Sequence, residues 1–190
     1  MTSRRDAVLA LAGIAALPLF RSLGAEELVE VGRRAHSLAE LREPGAPRAL
    51  TAAEYALVSQ AAERIIPRTA TPGATDARVA AFIDVMLGDW YDAADRVRFK
   101  AGLSELDDRA QKLAGYGFVQ IRPQQQIGIL ETLDRELQIR RQAREAGADD
   151  HWFAMLKHLT VWGYYTSRPG ITQELRVELV PGRYDGNARY

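Results

Sequence analysis

From Leu50 to Tyr165 the apolar positions recur at three- and four-residue spacing, the period of helices that bury one face. Thr51 and Glu54 form a capping box, with Leu50 and Tyr55 placed to staple it, ahead of a stripe made by Leu57, Val58, Ala61, Ala62, Ile65 and Ile66. Pro67 ends that helix, and Thr71-Pro72-Gly73 marks a loop. A second stripe follows at Val79, Phe82, Ile83, Met86, Leu87 and Trp90. Asp92 caps a third helix, which carries Phe99, Leu103, Leu106, Ala110 and Leu113 before Gly115 stops it. Pro123 suits the first turn of a fourth, with Ile127, Leu130, Leu133 and Leu137 on its buried face and Gly147 at its close. Asp149 or Asp150 starts a fifth, dense in large side chains from Trp152 to Tyr165 and terminated by Pro169-Gly170. Beyond it Val177, Leu179 and Val180 alternate briefly, which predicts an extended tail from about residue 168. The expected fold is all-α, a small bundle of about five helices with an extended C-terminal tail.

The first 50 residues break this period. Ser3-Arg4-Arg5-Asp6 precedes an almost uncharged run from Ala7 to Phe20, followed by Arg21 and Ser22-Leu23-Gly24-Ala25. That run of about 14 residues falls short of the ~20 a helix needs to cross a bilayer, and it shows no polar face. Arg4 and Arg5 ahead of it mark residues 1–25 as a twin-arginine export segment, read by the twin-arginine translocase, so the expected location is the periplasm, with membrane association if the segment is retained. Residues 26–49 are charged and end in Glu43-Pro44-Gly45-Ala46-Pro47, which reads as a linker to a domain at 50–190.

Charge and composition exclude several chemistries. The 25 basic and 25 acidic residues balance, with no basic stripe to attract nucleic acid. There is no cysteine, hence no disulfide, no thiolate ligand and no covalently attached haem. No Gly-rich dinucleotide fingerprint, phosphate loop or close histidine pair occurs, so no cofactor, metal or catalytic residue is assigned to this chain. Asp149-Asp150-His151 puts consecutive side chains in diverging directions and suits a helix cap better than a metal. His158 reads as a core histidine, His36 lies in the linker segment, and Asp84, Asp89, Asp92 and Asp95 read as surface charges and caps. The twin-arginine route carries proteins that are already folded, chiefly those loaded with a cofactor. A leader of that type on a chain without a cofactor motif points to a passenger arrangement in which a loaded partner travels with it.

Trp152, Trp162, Tyr164 and Tyr165 admit three uses: a core, a sugar-stacking platform or a surface covered by a partner. Neighbours on a helix turn ~100° apart, so Trp162, Tyr164 and Tyr165 cannot share one face, and some must meet a tail, a partner or solvent. Pro181, Gly182, Arg183, Tyr184 and Asp185 combine a turn with interface-favoured residue types, a partner contact or a structural turn. A stand-alone periplasmic sugar-binding protein or hydrolase is the competing reading, and it requires a concave pocket lined by Trp152 or Trp162.

The order Leu50-Thr51-Ala52-Ala53-Glu54, Ile65-Ile66-Pro67, Thr71-Pro72-Gly73-Ala74, Ala81-Phe82-Ile83-Asp84 and Trp90-Tyr91 resembles the gluconate 2-dehydrogenase subunit 3 family. So does the C-terminal half, in Leu156-Lys157-His158-Leu159-Thr160, Gly163-Tyr164-Tyr165-Thr166-Ser167, Pro169-Gly170 and Val180-Pro181-Gly182-Arg183-Tyr184-Asp185-Gly186. The resemblance covers about residues 50 to 187. It implies a non-catalytic helical small subunit partnering a large flavoprotein of the glucose-methanol-choline oxidoreductase type, often with a c-type cytochrome as electron acceptor. FAD and the active site are then expected in that partner, whose substrate would be gluconate, another sugar acid or alcohol, or the third carbon of a glucoside.

Overall fold

The computed structural model describes residues 24–41, 48–143 and 151–175. Over these residues the chain is helical: α1 (Ala25–Glu40), α2 (Ala52–Ile65), α3 (Val79–Asp89), α4 (Ala93–Ala114), α5 (Pro123–Gln142) and α6 (Trp152–Tyr165), followed by a π-helical turn at Gly170–Glu174. The expected all-α bundle is present. The five helices read from the apolar period are α2 to α6, and their ends follow the local chemistry. Thr51 Oγ1 accepts the Glu54 N–H while Glu54 accepts the Thr51 N–H, Asp92 accepts the Asp95 N–H, Gly115 takes the left-handed conformation at φ 74° that stops α4, and Pro123 occupies the first turn of α5.

Three local expectations are corrected. Residues 26–40, read as linker, form α1, because Leu28, Val31, Ala35, Leu38 and Ala39 recur at helical spacing and turn one apolar face to the bundle. The start of α6 is capped by His151, whose Nδ1 accepts the Phe153 N–H at 3.2 Å; Asp149 and Asp150 lie outside the described residues, as does Gly147. The extended tail expected from residue 168 instead begins with another helical turn. Ser167 Oγ accepts the Gly170 N–H and donates to Tyr164 O, so the chain re-enters helical geometry after Pro169.

Helix α6 is the axis of the bundle. It packs against α1, α2, α3, α4, α5 and the π-helical turn, which is why it is apolar around most of its circumference, with Lys157 turned out to Asp134. Polar ties join the surrounding helices. Arg109 on α4 makes a two-pronged contact with Glu136 on α5, at 2.9 and 2.7 Å, and also bonds Glu105, whose other oxygen accepts the Trp152 indole N–H from α6. The arginine beside it holds the Glu136 carboxyl below the usual glutamate range. Gln126, buried on α5, donates to Phe118 O and accepts from Arg64 on α2.

Candidate functional site

The motif residues of the sequence converge at one end of the bundle, where the α2–α3 loop meets the end of α6 and the π-helical turn. Glu63, near the end of α2, organises the loop by accepting the Arg68 N–H at 3.0 Å and the Thr75 N–H at 2.8 Å. Asp76 accepts the Gly73 N–H and pairs with the Arg68 guanidinium. Gly73 is required by close approach: a Cβ there would sit 2.5 Å from Glu63 Oε1 and 2.6 Å from the Arg68 nitrogen. Arg78 closes the loop in the left-handed region at φ 53°, an unusual conformation for a non-glycine residue. Its guanidinium reaches back to Ala39 O.

Two residues from the far end of the sequence fasten this loop. Tyr164 Oη donates to Pro72 O at 2.7 Å, and Thr71 Oγ1 donates to Glu174 at 2.6 Å. Burial raises the Tyr164 phenol above its ordinary value, partly offset by its hydrogen bond to Thr71. Glu63, Asp76, Tyr164 and Glu174 thus tie together two motif segments about 90 residues apart, leaving Arg68, Thr69, Ala70, Thr172 and Gln173 on the outer rim. The cluster can present a rigid loop to another molecule. Leu175, the last described residue of this stretch, donates its N–H to Gly170 O. The sequence candidates Pro181, Gly182, Arg183, Tyr184 and Asp185 follow it in the chain. Those five residues lie outside the described residues, and so do Arg4 and Arg5.

The aromatic candidates are interior. Trp162 is fully buried, edge-on to Phe82 at 5.5 Å, with its indole N–H donating to Leu28 O of α1. Tyr164 and Tyr165 are buried and meet edge to face at 5.2 Å. The geometric conflict among the three is resolved inside the chain: α1 covers Trp162, and the α2–α3 loop receives the Tyr164 hydroxyl. Trp152 is buried too, so neither tryptophan offers a stacking face to a sugar. A cleft of 430 Å³ is lined instead by Arg48, Ala49, Gly88, Arg96, Val97 and Lys100, among others. Its cations are engaged, Arg48 with Asp89, Lys100 with Glu54, and Arg96 with the carbonyls of Leu87, Gly88 and Tyr91.

Two residues set aside in the sequence have structural partners. Asp84, expected at the surface, is buried and accepts the backbone N–H groups of Arg48, Ala49 and Leu50, each at 2.9 Å. The signal available was a lone carboxylate inside an apolar helix. His36 is half-buried against α3 and α6, with Nε2 2.8 Å from Gly163 O and its ring 4.8 Å from Phe82. Apolar side chains also face outward at the α4–α5 turn, where Leu113, Tyr116 and Val119 are 57%, 64% and 40% exposed. Among the described residues no group of three acidic or histidine side chains is placed to hold a metal ion, and no helix is long and apolar enough to cross a membrane.

Comparison with known families gives a match to the family described as Gluconate 2-dehydrogenase subunit 3, over residues 52–182. That span takes in well over half of the chain and contains both motif segments of the loop-and-turn cluster. No curated protein and no solved structure matches.

Proposed function

Because the chain belongs to the gluconate 2-dehydrogenase subunit 3 family, we propose that it is the non-catalytic small subunit of a periplasmic flavin-dependent sugar or sugar-acid dehydrogenase. In this reading it binds a large flavoprotein of the glucose-methanol-choline type, supports its folding and FAD loading, and supplies the twin-arginine address for both. A c-type cytochrome accepts the electrons. The observation that carries the reading is the family match over residues 52–182. Three further features support it: Arg4 and Arg5 ahead of an apolar run, a loop-and-turn cluster fastened by Tyr164 and Glu174, and the outward apolar side chains Leu113, Tyr116 and Val119.

The test is co-expression of a tagged copy with the product of the neighbouring gene, followed by purification from the periplasm and an absorption spectrum. A stoichiometric large protein with flavin bands is the expected result, and a sugar panel then names the substrate. A lone, colourless protein obtained beside a well-expressed neighbour would sink the subunit reading. Replacing both Arg4 and Arg5 by lysine should leave the flavoprotein in the cytoplasm; its continued export would remove the address role.

A further inference from the structure

Helix α1 lies outside the family match, yet it covers part of the matched domain. It docks on α3 and α6 through Leu28, Ala35 and Ala39, with Val31 and Leu38 half-buried beside them. A Cβ on Gly32 would come within 2.9 Å of Thr166, so the helices approach closely there. The polar anchors are few: the Trp162 indole to Leu28 O at one end, Arg78 to Ala39 O at the other, and His36 between them. His36 is the titratable member. Its Nε2 faces Gly163 O at 2.8 Å and Thr166 Oγ1 at 3.3 Å while its ring lies against Phe82 at 4.8 Å, a site with few groups to solvate a charge.

We propose that α1 is a pH-released strap, docked on α3 and α6 while His36 is neutral and detached as His36 takes up a proton. The charged surroundings are sparse. Glu40 on the same helix favours the proton, Arg78 at the head of α3 is committed to Ala39 O, and the Asp84 carboxylate of α3 is turned to the backbone of residues 48–50. On α6 the touching residues Gly163 and Thr166 carry no charge, and Tyr164 points its hydroxyl at Pro72. Burial lowers the His36 pKa below its ordinary value, and the bonds to Gly163 and the charge of Glu40 only partly oppose it. Proton uptake therefore favours the undocked helix, in which the imidazolium meets water. Detachment uncovers Trp162 and Phe82.

Hydrogen exchange on the full chain from pH 7.5 to 5 tests this without reference to any partner. Protection of the amides of residues 28–39, corrected for intrinsic exchange, should lie below that of α3 and α4 at every pH and fall by up to about tenfold per pH unit below about 6.5. His36→Gln keeps a donor for Gly163 O and has no proton to gain, so it should flatten the dependence. Three results would overturn the proposal: α1 protection independent of pH, α1 as well protected as the core at every pH, or the same fall in H36Q.

Discussion

Asp84 and Tyr164 hold backbone with side-chain atoms, and removing either atom set has a calculable effect. Asp84 satisfies three successive N–H groups leading into α2, so Asp84→Ala leaves partly buried donors without an acceptor. The expected loss is about 3 kcal/mol of unfolding free energy, read by urea denaturation, with Asp84→Asn losing less because one acceptor oxygen survives. Tyr164→Phe removes only the hydroxyl that donates to Pro72 O. It should cost about 1 kcal/mol and speed proteolysis in the loop at residues 68–75, with the rest of the bundle unchanged. The residue string marks Asp84 only as a lone carboxylate in an apolar helix and Tyr164 not at all, since the partners are main-chain groups that carry no signature there.

At the scale of helices, caps and close contacts set the energetics. Thr51→Ala deletes the reciprocal cap of α2 and should lower stability by about 1 kcal/mol, measured by thermal melting. Gly102 lets α4 approach α6: a Cβ there would fall 2.0 Å from the Trp152 ring. Gly102→Ala should therefore destabilise by about 2 kcal/mol or more and disturb the bond from the Trp152 indole to Glu105. The cap residues and the apolar period made α2 to α6 legible in sequence. Helix α1 carries the signal as well, since Leu28, Val31, Ala35, Leu38 and Ala39 recur at helical spacing opposite its charges. The many charges of residues 26–49 and the Pro44-Gly45-Ala46-Pro47 stretch that ends them hid it. The turn after Pro169 was hidden because Ser167 and Gly170 form it through a side-chain bridge.

For the whole molecule, two half-buried histidines set the response to acid. Burial lowers the pKa of His36 and, together with Arg140, of His151. Both groups bind protons more readily in the unfolded chain, so their contribution to stability is present above about pH 6.5 and is lost as pH falls through their folded-state values. His151 adds a specific reason, since its Nδ1 must be unprotonated to accept the Phe153 N–H. Urea midpoints measured between pH 7.5 and 5 should decline, and His151→Asn, which retains a cap acceptor, should decline less.

The sequence by itself determined the helical class, five helices with most of their ends, the absence of cysteine chemistry and the family, because these depend on local period, capping residues and the order of short motifs. Only the tertiary structure decided where Asp84, His36 and the aromatic residues of α6 stand. Trp162, Tyr164 and Tyr165 point in different directions from one helix, and periodicity cannot say what lies on each side. Packing answers it by surrounding α6 with five helices and a turn, so that a helix without a single apolar face has no need of one.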